Sequence, residues 1–441
     1  MSDSKSEEGS VAGRRPIDSL RDLKTTPLNF ALIGASVLWI LYLVSGYRSP
    51  LDVILLSDKD ASAVVRQLVF ATTGMLAIAQ LVLNRALGAL IVTRWALFSI
   101  TGLLFLSALW SQDPPLTIKR SIIFLFGAFT VATLVHSTPN PARFMMRFVV
   151  YFCGAVSLIS IALHLLLPEG HTVNPGRPGL AGISQHPNTL APFLSIGLIL
   201  SMGMRETSKS RIIAWHSMRA FLAIGLLMTL SITTILTTLV GLFLYILLSS
   251  NSYRRGAIQI ILFIVALMVG VIGASTIKSG IFSAIGRDES LSGRDELWKV
   301  VWYEVGKQPL IGHGFGAFWT EGKGRELVQT WNPRQSHHAY LDLLVDLGPL
   351  GLGIVLALFP LSLLWVWLRS QGSSGGAKRK AMAAMMAAAF SYMTVYGFGE
   401  SFFLKYDKFP FFIIVWITLI FTNRDTQCLS REFSDKRIDL A

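Results

Sequence analysis

Residues 226–248 read LLMTLSITTILTTLVGLFLYILL, an apolar run broken only by one serine and a few threonines. Its length and the polar segment Ser231-Ile232-Thr233-Thr234 divide it into two membrane helices, near 219–234 and 235–250, since one span needs about 20 apolar residues. The division decides the fold. A single long span here would invert the sidedness of everything that follows.

Working outward, the same criterion places the other spans near 28–46, 66–84, 95–110, 121–137, 146–167, 186–204, 257–277, 346–368, 381–398 and 409–422. This gives an all-α, polytopic membrane protein of about twelve transmembrane helices. Composition agrees, with 52% hydrophobic and only 15% charged residues. The net charge of +13 sits in short clusters between apolar runs, as membrane orientation requires, and does not point to nucleic acid. With the N-terminus inside, the basic residues collect in the cytoplasmic segments. Among them are Arg14, Arg15, Arg85, Arg94, Arg143, Arg147, Arg205, Arg254, Lys378 and Arg424. About 23 of the 39 lysines and arginines fall there by the positive-inside rule.

The expected organisation follows: a cytoplasmic tail over 1–27, nine spans over 28–277, a long periplasmic loop over 278–336, three spans over 337–422 and a cytoplasmic tail over 423–441. The polar stretch before the first span lacks the basic-then-apolar design of a cleaved signal, so that span is expected to be kept. Cys153 lies in an apolar run and Cys428 in the polar tail, so no bridge between them is expected.

The long loop carries most of the chemistry. In GRDELWKVVWYEVGK, residues 293–307, Leu297, Val301 and Val305 recur at i, i+4, i+8 beside Trp298 and Trp302. That spacing predicts an amphipathic helix suited to a membrane interface. Pro309 should stop it, and Gly312, Gly314 and Gly316 should allow a tight irregular turn; the G-x-G-x-G lacks the flanking strand and helix of a nucleotide site. His337 and His338 stand at the mouth of the next span. Glu400 stands at the outer end of the eleventh span, with Lys405 as its nearest prospective partner. His186-Pro187-Asn188 opens another span with polar residues, either as a helix cap or as part of a substrate site. His171, His186 and His313 lack metal-ligand spacing, so neither a metal nor another cofactor is expected.

Three blocks in this order, GRPGLAGISQHPNTLAPF at 176–193, SGRDELWKVVWYEVGKQPLIGHGFGAFW at 292–319 and SHHAYLDLLVDLGPLG at 336–351, resemble the O-antigen ligase and polymerase superfamily. The resemblance covers about 175–351 and is nearest in wording to the ExoQ-type exopolysaccharide polymerases. It departs from the family's histidine-asparagine pattern in having His338 where asparagine is usual.

The resemblance implies a GT-C-like glycosyltransferase of the bacterial inner membrane. Such an enzyme moves a glycan from an undecaprenyl-diphosphate carrier to a sugar hydroxyl at the periplasmic face, with inversion and without metal. It would work with membrane lipids and with chain-length-regulating or export proteins. Carried over to this chain, it makes Arg177 and Arg294 the groups that steady the diphosphate, and His337 the base. His338, Tyr340, Trp298, His186, Asn188 and Glu400 become candidates for holding substrate. Polymerase and ligase share this chemistry. A lipid-linked glycan transporter is the competing class, but it should show internal symmetry and mid-membrane charges, which this sequence lacks.

Overall fold

The computed structural model describes residues 27–45, 59–138, 141–166, 173–174, 177–184, 186–203, 208–249, 294–320, 324–327, 333–358, 377–405 and 408–421. The fold is a bundle of α-helices. In chain order these are α1 (Pro27–Ser45), α2 (Lys59–Leu83), α3 (Leu87–Thr93), α4 (Trp95–Leu106), α5 (Pro114–Ser137), α6 (Pro141–Leu166), α7 (Pro187–Met202), α8 (Lys209–Met228), α9 (Ile232–Ser249), α10 (Arg294–Lys307), α11 (Ala339–Leu358), α12 (Ala377–Tyr396) and α13 (Phe409–Phe421). A two-stranded antiparallel hairpin, β1 (Val173–Asn174) and β2 (Arg177–Leu180), precedes α7.

Six helices among the described residues are long and apolar enough to cross a membrane, or seven if the bent pair α3–α4 is one span. Four shorter apolar helices, within α1, α7, α12 and α13, accompany them. The span expected at 257–277 lies outside the described residues. The long run at 226–248 is two helices, α8 and α9, which turn over at Thr229-Leu230-Ser231. Leu230 is held there at a φ of 52°, just past the Thr229 cap that ends α8. The break falls a few residues before the midpoint of the Ser-Ile-Thr-Thr segment.

Near α3, Arg94, expected in a cytoplasmic segment between two spans, is 4% exposed at a 92° bend between α3 and α4, and its Nε donates to His136 Nε2 at 3.1 Å. The chain folds back on itself there, and α5 covers the arginine.

α7 is the central helix, buried along nearly its whole length. Between lipid-embedded helices apolar burial drives little association, so close approach of backbones matters more. Small residues provide it here: a Cβ added to Gly154 would fall 1.9 Å from Met218 Sδ, and one at Gly197 would fall 2.6 Å from Cys153 Cβ. Thr238 adds a hydroxyl bond of 2.7 Å to Ser195, joining α9 to α7.

The start of α5, the start of α7, the α8–α9 turn, the start of α11 and the end of α12 converge on one end of the bundle. Direct bonds tie them. Phe315 N donates to Ser107 Oγ at 3.1 Å, Thr117 Oγ1 to Phe315 O at 3.1 Å, and Gln112 N to His313 O at 3.0 Å. The glycine-rich turn after α10 therefore seats on the corner that begins α5. Asp113 caps that helix by accepting from Leu116 N at 3.2 Å, with prolines in its first turn.

The turn also locks into a break in α11. Gly312, Gly314 and Gly316 all have positive φ, and so does Gly348, whose φ of 66° and ψ of −174° split α11 into two segments. A Cβ at Gly348 would lie 2.2 Å from Leu310 O, and one at Gly312 would lie 2.6 Å from the carbonyl carbon of Asp346. His313 N and Gly314 N then donate to the carbonyls of Val345 and Asp346, which the break leaves without helical partners.

Gly348→Ala should therefore lower the thermal unfolding midpoint in detergent, because that backbone region costs a non-glycine residue about 1–3 kcal/mol even before the clash. Gly353→Ala, where an added Cβ meets nothing within 4 Å, should leave it unchanged or slightly higher. Equal midpoints for the two variants would contradict this account of the break.

Candidate functional site

The converging ends place one carboxylate among cations and amides. Glu400 lies four residues past the end of α12, in the turn Gly397-Phe398-Gly399-Glu400, and its own N–H still bonds Tyr396 O at 3.0 Å. Its Oε1 accepts from Arg294 Nη2 at 3.2 Å and from Asn188 Nδ2 at 3.1 Å. Its Oε2 lies 3.0 Å from His337 Nδ1 and 3.4 Å from Gln335 Nε2. Four segments far apart in sequence thus meet on two oxygen atoms.

Each partner is held in turn. Arg294 opens α10 and also donates through Nη1 to Gly399 O at 2.8 Å, so the guanidinium grips both the carboxylate and the backbone beside it. Two of its five N–H donors serve these bonds. Asn188 sits in the first turn of α7, and its Oδ1 accepts from Ser231 Oγ at 3.1 Å, which brings the α8–α9 turn into the network. His337 precedes α11 with a φ of 55°.

Burial by itself pushes the Glu400 carboxyl up, but the bonded imidazole of His337, Arg294 and Lys408 outweigh it and bring the pKa down from 4.5 to about 2. Glu400 is accordingly a fixed anion at neutral pH. A carboxylate oxygen only accepts, so His337 Nδ1 carries the hydrogen of the 3.0 Å bond.

The remaining candidates divide. His186 turns its Nδ1 to Asn188 N at 3.1 Å and caps α7, the local role its position before a proline suggests. His338 caps α11, with Nδ1 accepting from Leu341 N at 3.3 Å, and burial lowers its pKa against the opposing pull of Asp342. Its ring meets Trp298, Tyr340 and Phe398 edge to face. Tyr340 donates to Thr394 O at 2.8 Å and so ties α11 to α12. Trp298 donates to Ser336 O at 3.0 Å. These three side chains brace the His337 turn from behind. Arg177 lies on β2, whose Gly179 presses against the carbonyl of Thr229 next to Ser231. The Arg177 side chain is outside the described residues, as is His171.

Lys405, the prospective partner of Glu400, places its Nζ 3.3 Å from Asp342 Oδ2, just past the turn that Leu404 makes with a φ of 53°. One expectation is corrected: the apolar stripe of α10 does not lie on a membrane surface. Leu297, Val301 and Val305 pack against Phe318, Trp319, Leu341 and Val345, since a helix of the same chain covers that face. Trp302 and Tyr303 remain exposed on the opposite side. His313, once a candidate for a metal cluster, is buried between Val345 O and Glu304. No group of three or more potential metal ligands occurs among the described residues.

Sequence reasoning passed over Gln335 and Asp342, and read Lys405 only as a prospective partner of Glu400. Asp342 lies inside the block singled out at 336–351 and Gln335 directly before it, so their proximity to the paired histidines was available as a signal. Ser231 was visible only as a break in an apolar run.

Against this geometry, residues 218–356 match the family described as O-antigen ligase. The chain is also 24% identical over 274 residues to the exopolysaccharide production protein ExoQ of Rhizobium meliloti (strain 1021). That match covers 58% of this chain and 61% of the relative, so less than two thirds of the relative's length is represented. The chain is thus an all-α polytopic membrane protein, and its resemblance to the O-antigen ligase and polymerase family holds. The matched family segment contains Ser231, Arg294 and His337, while Asn188 and Glu400 lie on either side of it.

The pKa of Glu400 sets a test of the network. Its folded value lies below its ordinary one, so the stabilisation it gives is complete above about pH 4.5 and is lost as pH falls through about 2. The thermal midpoint of the native protein should fall across that window, and Glu400→Gln should flatten the fall while lowering the midpoint at pH 7. Parallel curves for the two proteins would contradict the assignment.

Proposed function

We propose that the protein is a glycosyltransferase that moves a glycan from undecaprenyl diphosphate to a sugar hydroxyl, and that it polymerises exopolysaccharide or O-antigen repeat units. The observation that carries this reading is the Arg294–Glu400–His337 constellation at one end of a helical bundle. On this reading that end faces the periplasm from the inner membrane and both termini are cytoplasmic. Segments 1–27 and 423–441 are then tails, and 278–336 is the long outer loop between the ninth and tenth spans.

In the proposed reaction the acceptor oxygen attacks the anomeric carbon while the bond from that carbon to the diphosphate oxygen breaks and its electron pair leaves with the diphosphate. Attack from the face opposite the leaving group inverts the anomeric centre. His337 Nε2 takes the hydroxyl proton as general base, a contribution typically of about 10²–10⁴-fold. Glu400 acts on His337 as the carboxylate acts in a hydrolase triad, fixing the tautomer and favouring the imidazolium that forms. Arg294, with donors beyond those that bind Glu400 and Gly399, steadies the departing diphosphate, and Arg177 assists it from β2. Arginine charge serves here in place of a divalent ion. Asn188 and the bracing residues His186, His338, Tyr340 and Trp298 shape the pocket for sugar and carrier. Lipids, the carrier-linked oligosaccharide and chain-length or export proteins are the partners this role requires.

The family description favours a second reading, ligation of finished polymer to a lipid acceptor, by the same residues. Deletion of the gene separates them: a ladder of repeat units collapsing to single units supports polymerisation, and intact polymer never joined to lipid supports ligation.

His337→Ala should cut product formation at least about 100-fold, the lower end for a lost general base, with carrier-linked units accumulating and membrane insertion unchanged. Arg294→Lys should also impair turnover, because a point charge cannot hold Glu400 and Gly399 at once. Normal polymer in the His337 variant would sink the mechanism.

A further inference from the structure

We propose that Asp342 and Lys405 form a clamp that sets the position of His337 against Glu400, making Asp342 a positioning residue outside the reacting centre. His337 has a left-handed backbone, which a residue with a side chain adopts only when its surroundings impose it. The neighbouring residues show what imposes it.

On the N-terminal side, Ser336 N donates to Asp342 Oδ1 at 2.9 Å, and Ser336 O accepts from Trp298 Nε1 at 3.0 Å. Ser336 Oγ donates to His338 O at 2.8 Å, closing the turn around His337. On the C-terminal side, His338 N lies 3.2 Å from Ser401 Oγ, and Ala339 N donates to Gly397 O at 2.8 Å.

Asp342 is itself pinned. It is 2% exposed in the first turn of α11, where the helix dipole favours a negative charge. Its Oδ1 also accepts from Trp319 Nε1 at 3.0 Å, and its Oδ2 faces Lys405 Nζ at 3.3 Å. Lys405 lies five residues after Glu400, at the end of the same turn-rich segment. The ion pair consequently ties the turn that carries His337 to the segment that carries Glu400, while Trp319 links both to the glycine-rich turn. No part of Asp342 lies in the described contacts of Arg294, Asn188 or His337, so it acts through the Ser336 amide, through the Ser401 side chain that also bonds it, and through Lys405.

The clamp makes a prediction that needs no substrate. With the clamp intact, the His337 ring is held against Glu400 and its side chain is 24% exposed; with the clamp released, the ring can turn outward to where the reagent reaches it. Detergent-solubilised full-length protein is treated with diethyl pyrocarbonate at pH 7, and carbethoxylation is followed at each histidine by peptide mass spectrometry. Asp342→Ala should speed modification of His337 severalfold, with Lys405→Met in the same direction. Asp342→Asn, which keeps an acceptor for Ser336 and Trp319, should give a smaller rise. Exposed His216 on α8 serves as the reference, and its rate should not change in any variant.

The consequence for turnover rests on the proposed function. With carrier-linked oligosaccharide extracted from a strain lacking this gene, Asp342→Ala should lower kcat by up to about 100-fold, as expected when a reacting group shifts by about 1 Å, and leave KM near the native value. Unchanged His337 reactivity in folded Asp342→Ala or Lys405→Met protein overturns the clamp, whatever the turnover. Raised reactivity with kcat intact upholds the clamp and contradicts the role given to His337.

Discussion

The site depends on one buried carboxylate. Glu400, 8% exposed, draws Arg294, Asn188, Gln335 and His337 from three separate segments onto its two oxygens. Removing such an anion would leave Arg294 a buried charge without its main partner, a cost that is large in a low-dielectric setting. Paired, the same groups define each other's geometry. The assembly of helices exists, in this sense, to bring the ends of α7, α10, α11 and α12 to that carboxylate.

The backbone supporting this arrangement is irregular at each point where the chain enters the site. His337, Leu230 and Leu404 have left-handed φ, and Gly348 breaks α11 about three turns below His337. Irregular backbone within a membrane protein needs protein partners for its polar groups. The glycine-rich turn supplies them at the α11 break, through His313 N and Gly314 N. The same turn reaches α5 through Phe315 and Thr117, so the site and the bundle's first half are joined without a long interdomain linker.

Much of this was legible in the sequence, and the parts that were not have physical reasons. Hydropathy located the helices because bilayer thickness sets their length, and the Ser231 break divided α8 from α9 as expected. Arg294, His337, Asn188 and Glu400 stood out because polar groups at span ends are conspicuous against apolar runs. Their union on one carboxylate was not visible, since Asn188 and Glu400 are 212 positions apart and only tertiary packing brings them together. Lys405 stood out only as a prospective partner of Glu400, because proximity along the chain does not show Asp342 beside it. The stripe of α10 was assigned to a membrane surface because periodicity reveals that a face is covered and leaves open what covers it. Arg94 illustrates the same limit, since a basic residue between two apolar runs reads as a loop whether or not the chain bends inward.

The central claim is that Glu400 acts on the reaction through His337, and a double-mutant cycle measures that coupling most directly. Turnover of the native protein, Glu400→Gln, His337→Ala and the double variant would be compared with one carrier-linked donor, after each is shown to insert and fold. If Glu400 works by holding His337, the double variant will be no slower than His337→Ala alone. Independent losses that multiply in the double variant would contradict the account.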